Sequence, residues 1–314
     1  MNSFNAPPEG LLIIDKPAGM TSHSVVSRLR RVLNTRRIGH AGTLDPLATG
    51  VLVVAVGKMT RLLEFMVSDH KSYRAELQFG TTTDTLDREG KILESFPLDG
   101  LDECRVRRSA ESFVGTIQQI PPMYSAIKQN GMALHKLARK GIEVERPPRT
   151  VTITRLDVIS CDLPRAVIDV DCSKGTYIRT LCADLGEKLG VGAHLTELRR
   201  LSSGPFTSAE AVGLDALREQ LESGGVSPLI APLEALRGWV VGQVNANGLQ
   251  KINEGIPPTR DDLVSMPECT PGTRLALACH DELIAVAHFA PERTRETRGD
   301  FELIKVFPRA TGTF

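Results

Sequence analysis

The chain lacks any C-x-x-C pair; its six cysteines (Cys104, Cys161, Cys172, Cys182, Cys269 and Cys279) are scattered over 314 residues. Zinc-site spacing is therefore absent, and so few cysteines do not build a disulfide framework. Reduced thiols and a cytoplasmic location are expected. Net charge is lacking too: 38 Lys and Arg balance 38 Asp and Glu. A nucleic-acid footprint, if there is one, must be local. The longest apolar run, Val51–Val56 (VLVVAV), is far short of the roughly 20 residues a membrane helix needs. The opening MNSFNAPPEG has no basic stretch followed by an apolar one, so no signal peptide is expected. There is no G-x-x-x-x-G-K-[ST] loop, no H-E-x-x-H and no G-x-S-x-G elbow. The seven histidines lack metal-ligand spacing. Neither a cofactor nor a metal is expected.

What is present is an ordinary globular composition, 41% hydrophobic and 24% charged. The length suggests one large domain plus a small one. Leu11–Ile14 reads as a buried strand. Thr21 or Ser22 caps a helix running to about Asn34, with Val25, Val26, Leu29, Val32 and Leu33 at helical spacing. Arg28, Arg30, Arg31, Arg36 and Arg37 make a local basic run there, either a solvated face or a phosphate contact. His40–Gly50 (HAGTLDPLATG) reads as an ordered loop anchored by Leu44 and Leu47, and Val51–Val56 as a strand. Tyr73–Phe79 alternates as a half-buried strand. Cys104–Val114 is expected to be helical.

Residues 118–149 carry Lys128, Lys136, Arg139, Lys140, Arg146 and Arg149 against only Glu143 and Glu145. That is a basic insertion with a short helical piece at Ala133–Lys140, too long for a plain connection. Val151–Ile159 and Ala166–Cys172 read as paired strands, Tyr177–Leu189 as a helix, and Gly204 to about Arg237 as mostly helical. After Trp239 short β segments follow at Arg274–Cys279, Leu283–Phe289 and Glu302–Phe307, the spacing of a small all-β unit. The domain boundary is placed near Arg237.

Asp45 sits in G-T-L-D-P, between a helix and a strand. It fits either an Asx turn ahead of Pro46 or a functional carboxylate presented by a rigid scaffold. Only three tyrosines occur, Tyr73, Tyr124 and Tyr177. Each suits the edge of a core or a stack on an extruded base. A partly buried Arg179 would need a carboxylate partner, and pairing with Asp45 would keep that carboxylate ionised.

These blocks resemble the TruB family of bacterial tRNA pseudouridine synthases. The resemblance runs through Asp15–Met20 (DKPAGM), Gly39–Gly50 (GHAGTLDPLATG), Lys71–Arg74 (KSYR) with Gly80–Asp84 (GTTTD), Gln119–Lys128 (QIPPMYSAIK), Cys172–Thr180 (CSKGTYIRT) and Gly192–Leu201 (GAHLTELRRL). It implies an α+β fold with a mixed, mostly antiparallel sheet flanked by helices. A catalytic domain would span 1–236, with a thumb-like basic insertion at about 118–149, and a PUA-like RNA-binding domain would span 237–314. Asp45 would be the nucleophile, paired with Arg179. Tyr73 would stack on the target uracil and has been cast as a base; Tyr177 and Leu198 would line the base pocket. His40 would engage the flipped nucleotide region, and Lys16 would lie near the active-site floor. The implied substrate is the T arm of tRNA, modified by a monomer without an obligate protein partner, a membrane or a cofactor. Isomerisation needs no redox partner, and the base must be extruded to be reached. A guide-RNA-dependent synthase and an RNA-folding chaperone of the same family are the alternatives.

Overall fold

The computed structural model describes residues 9–67, 70–129, 131–224, 228–291 and 299–308; residues 1–8, over which no signal peptide was expected, lie outside them. The strands β1 (Gly10–Lys16), β2 (Ile38–Ala41), β3 (Thr49–Val56), β4 (His70–Phe79), β5 (Gly115–Gln119), β6 (Arg149–Asp162), β7 (Arg165–Ser173) and β8 (Ala193–Ser203) form one large sheet. Its order is β1-β3-β8-β4-β7-β6-β5, with β2 beside β3, and short strands at Val212–Gly213 beside β1 and at Phe206–Thr207 beside β8. Pairing is antiparallel except where β8 meets β3 and Val212–Gly213 meets β1. This is the mixed, mostly antiparallel α+β architecture expected.

Strand character follows from which faces are covered. In β1, Leu11 and Ile13 enter one core and Leu12 and Ile14 another; in β3, Val51, Val53 and Ala55 alternate in the same way with Leu52, Val54 and Val56. A strand buried on both faces is continuously apolar, which explains the LLII and VLVVAV runs. In β4, Tyr73, Ala75, Leu77 and Phe79 point into a single core while Arg74, Glu76 and Gln78 face outward. Helices α1 (Ser22–Val32), α2 (Glu103–Glu111), α3 (Ile178–Leu189) and α4 (Leu214–Glu222) flank the sheet. The N-cap of α1 is Thr21, whose side chain accepts from Ser24 N at 3.0 Å; α3 stops at Gly190 in the left-handed region, a position that favours glycine.

A second sheet is built from β9 (Val240–Val244), β10 (Leu263–Ser265), β11 (Arg274–Cys279), β12 (Glu282–Phe289) and β13 (Phe301–Val306), in the order β10-β9-β11-β12-β13. Helix α5 (Ala246–Asn253) packs on it. The two sheets share an apolar seam. Leu11, Val51 and Val53 of the first sheet, with Met59 just after β3, meet Ala276, Leu283, Val286 and Phe307 from the second. Lys305 pairs with Glu64 at 3.0 Å and Arg61 donates to Val306 O at 2.7 Å along its edge.

Three expectations are corrected. The stretch Gly204–Arg237 is not mostly helical: among its described residues α4 is the one α-helix, and the rest is two short strands and single 3₁₀ turns. Backbone pairing of Val212–Gly213 with β1 and of Phe206–Thr207 with β8 competes successfully with helix formation there. The loop read as His40–Gly50 is shorter, because His40 and Ala41 end β2 and Thr49 and Gly50 begin β3. Similarly, the ends of the 118–149 insertion are themselves strand: Arg149 pairs with Gln119 and Thr150 with Gln118.

Gly50 marks the closest approach in the sheet. Its φ is +96°, and a Cβ there would lie 2.2 Å from the Arg200 carbonyl oxygen. Neither backbone can give without opening the β3–β8 pair. Gly50→Ala is expected to destabilise the fold by at least about 2 kcal/mol, measured by chemical denaturation.

Candidate active site

Asp45 stands on the seven-residue loop, 42–48, between β2 and β3. Leu44 and Leu47 are buried and anchor it from below. Its backbone is tied to the segment that joins β1 to α1. Ser22 accepts from Leu44 N at 2.9 Å and donates to Leu44 O at 3.2 Å. Gly19 N donates to Pro46 O at 2.8 Å. Lys16, fully buried, donates to Pro17 O at 2.8 Å, Met20 O at 2.6 Å and Pro46 O at 3.2 Å. The residues on either side of Asp45 are thus pinned, and Asp45 itself is left to project.

Arg179, the second residue of α3, meets it. Nε lies 2.9 Å from Asp45 Oδ2, off the N–H axis, since this nitrogen has no aligned acceptor; the contact is an ion pair before it is a hydrogen bond. Nη1 donates to Thr85 O at 3.0 Å and lies 3.6 Å from Asp87 Oδ2; Nη2 donates to Tyr124 O at 2.7 Å. Asp87 is held in turn by Glu89 N and the Thr85 hydroxyl. The Asp45 side chain keeps 34% of its surface, yet the cleft walls remove enough water that desolvation dominates and raises its pKa. Asp87 adds to the rise; Arg179 and Lys16 oppose it. Burial also lowers Lys16, to about 8.

Two adjoining cavities share Asp45 and Arg179 as a common wall. One, of about 570 Å³, is lined by Tyr73, Tyr177, Leu198 and Arg200, with Arg149 and Lys174 among its cations. The other, of about 700 Å³, holds His40, Asp87, Tyr124 and Arg139. The structure therefore brings together Asp45, Arg179, Tyr73, Tyr177 and Leu198, with His40 on the far side of the carboxylate. Lys16 lies behind the loop and lines neither cavity. Burial raises the phenols of Tyr73 and Tyr177. It lowers His40, with Arg200 and His23 adding to the effect, and His40 Nδ1 has no partner among the described residues.

Four residues here escaped the sequence reading. Gln119 receives Tyr177 N at 2.7 Å and donates to Tyr177 O at 3.1 Å, fixing the start of α3. Ser22 holds the Asp45 loop, and Asp87 sits beside the Arg179 guanidinium. Arg200 lies wholly buried in β8, a strand the sequence reading did not anticipate. The signal for Arg200 was period-two alternation: its neighbour Arg199 faces Asp15, with bonds of 2.9 and 2.8 Å, so Arg200 must face the other way.

Comparison with known proteins gives concordant results. Residues 30–178 match the model of the TruB family pseudouridylate synthase N-terminal domain, and residues 179–236 that of the tRNA pseudouridylate synthase B C-terminal domain. The tRNA pseudouridine synthase B of Syntrophotalea carbinolica is 49% identical over 298 residues, covering 95% of this chain and 97% of that protein. That of Geobacter sulfurreducens is 43% identical over 305 residues, covering 95% and 99%. Among solved structures, a Cbf5-Nop10-Gar1 complex contains a chain 27% identical with a TM-score of 0.72, covering 95% of this chain and 84% of that one. An H/ACA RNP bound to a substrate RNA matches at 25% identity and the same TM-score and coverage.

Lys16 supplies a pH signature. Its folded pKa of about 8 lies below the roughly 10.4 of an unfolded chain. Between those values the unfolded state holds the extra proton, so stability contributed by this group rises with pH across that window and is lowest below about pH 8. The stability of the native protein relative to Lys16→Met is expected to grow by about 2–3 kcal/mol from about pH 8 to roughly 10.4. Paired denaturation curves across that range check it; a constant difference refutes it.

Proposed function

The chain belongs to the TruB family of pseudouridylate synthases, and on that premise we propose how its cleft carries out the family reaction. The protein isomerises a uridine of tRNA to pseudouridine. The N1–C1′ bond breaks, the uracil turns, a C5–C1′ bond forms, and the C5 proton is replaced by one on N1. Product and substrate have the same atoms and oxidation level.

In our reading Asp45 is the nucleophile. The observation that carries it is the Asp45–Arg179 pair at the wall between two cavities. Arg179 holds the carboxylate ionised against the desolvation that favours its acid form. The cavity of Tyr73, Tyr177 and Leu198 receives the extruded uracil. Stacking contributes roughly 1–3 kcal/mol per base, comparable to the loss on unstacking. His40, in the other cavity, engages the nucleotide beside the flipped base. Lys16 acts from behind, as a brace for the loop.

The remaining assignments follow from the family resemblance and from where the basic residues lie. The insertion between β5 and β6 carries Lys128, Arg139 and Arg146 and reaches the cleft through Tyr124, so it is proposed as the clamp on the T arm. The unit from about residue 237 onward is proposed as a second, PUA-like RNA contact. We propose that the enzyme acts as a monomer without guide RNA or protein partner, in a cytoplasm. The matching solved chains come from complexes with other proteins, which makes guide dependence the competing reading. Identities of 43–49% to tRNA pseudouridine synthase B proteins favour stand-alone action.

Purified protein and a bare tRNA transcript test these assignments. Conversion of one T-loop uridine is expected, with a loss on the order of 10³-fold or more in Asp45→Asn and RNA affinity nearly unchanged. Full activity of Asp45→Asn removes the nucleophile assignment; conversion only in the presence of added guide RNA or protein removes stand-alone action. The rate is expected to fall as pH drops through a pKa above the roughly 3.9 of free aspartate, because the attacking form is the ionised one. Arg179→Met, which removes the main group opposing that rise, is expected to move the acid limb to still higher pH. Affinity for RNA is expected to fall steeply between about 50 and 200 mM salt, measured by filter binding; a flat dependence removes the basic insertion from the interface.

A further inference from the structure

Arg200 is a buried cation with no part in the chemistry proposed for Asp45. It is 1% exposed, and with Lys16 it is one of the largest fully buried side chains. No carboxylate pairs with it among the described residues. An unpaired guanidinium in a protein interior is unfavourable unless its donors are met by other groups, so the groups that meet it carry information.

Its strand position is distinctive. β8 runs between β3 and β4, and Arg200 pairs with Gly50 on one side and Tyr73 on the other. It therefore stands between the strand that leaves the Asp45 loop and the strand that carries the stacking tyrosine. Nε donates to Val51 O at 2.7 Å, just past the end of that loop, and Nη2 to Gly42 O at 3.2 Å, at its start. Across the strands Arg200 is the direct partner of Tyr73, and both side chains line the same cavity, which places the guanidinium beside the phenol. Gly42, at φ +85°, leaves room for this approach: even a Cβ there would stand 3.6 Å from Nη1.

We infer that Arg200 is a positioning residue that locks Tyr73 to both ends of the nucleophile loop, its fork joining the Gly42 and Val51 carbonyls to the phenol oxygen. The inference rests on the assignment of Tyr73 and Asp45 to the pseudouridylation site. Two effects follow. The phenol oxygen accepts from Arg200, which leaves the phenol O–H to point toward the bound base. The ring and the carboxylate share one support, so a shift of the loop moves both together and their separation is kept. The cation also opposes the rise in the phenol pKa that burial produces; Cys172 on β7 and Asp45 on the loop act in the opposite sense, and Lys71, Arg149, Lys174, Tyr177 and Arg179 line the same cavity.

The test combines kinetics with a probe of the ring. Single-turnover rates on a tRNA transcript are measured for the native protein, Arg200→Gln, Tyr73→Phe and the double variant, with RNA affinity measured alongside. Arg200→Gln is expected to slow the reaction about 10–100-fold, the loss expected for one hydrogen bond to a charged group, with affinity unchanged. In the Tyr73→Phe background the same change is expected to cost under about threefold. Equal losses in both backgrounds, or no loss in the first, overturn the inference. With 3-fluorotyrosine in place of the three tyrosines, the ¹⁹F resonance of Tyr73 is expected to titrate at higher pH in Arg200→Gln. An unmoved titration overturns the link to the phenol whatever the kinetics show. If Arg200→Gln does not fold, Arg200→Lys takes its place in both measurements, with a loss of rate expected because one ammonium does not span three acceptors. An inactive native protein would instead count against the pseudouridylation reading, and the fluorine titration would still decide the Arg200 contact.

Discussion

The ion pair between Arg179 and Asp45 organises this molecule. Four segments distant in sequence meet at one guanidinium: the Asp45 loop, the turn at Thr85–Asp87, the insertion at Tyr124, and the first turn of α3, which carries it. A side chain 4% exposed has little access to water, so each of its donors depends on the protein. Removing one partner from such a pair typically destabilises by about 3–5 kcal/mol, because the other charge stays buried. The arrangement also gives direction. The insertion and the carboxylate touch the same arginine, so the part of the chain proposed to grip RNA and the part proposed to attack it share one electrostatic contact.

Around that pair the backbone is held by neutral polar groups more than by charge. Ser22, Gly19 and Lys16 fasten the loop on both sides of Asp45, and Gln119 fastens the entry of α3. These contacts stabilise a conformation in which a carboxylate projects from a loop without a capping partner of its own. Desolvation then raises its pKa, and Arg179 and Lys16 limit the rise. The carboxylate is made less stable as an ion, and so more reactive, in the same place where its position is most constrained.

Much of this was legible in the residue order. The strands at Leu11–Ile14, Val51–Val56 and Tyr73–Phe79 and the helices near Ser22 and Tyr177 leave local signatures: apolar period, a capping threonine, a loop rich in Gly and Pro. That Asp45, Arg179 and the tyrosines belong to one site was implied by the resemblance to the TruB family and not by any local pattern. What escaped was non-local. β8 holds His194, Glu197, Arg199 and Arg200, a composition that reads as exposed helix or loop, because its polar residues are satisfied by neighbours far away in sequence. The helical reading of Gly204–Arg237 failed for the related reason that pairing with β1 and β8 outweighs local propensity. Asp87 gave no signal, and Gln119 none beyond opening one block of the family resemblance, since their role emerges only when chain segments distant in sequence meet.

The apolar seam between the two sheets has a mechanical meaning. β1 and β3 are buried on both faces, and one of those faces is covered partly by Ala276, Leu283, Val286 and Phe307 of the second sheet. The two units are therefore joined by packed apolar side chains as well as by the chain that links them. Any change in the span between the second sheet and Asp45 would then have to break that packing, so an RNA touching both would meet a resisting span.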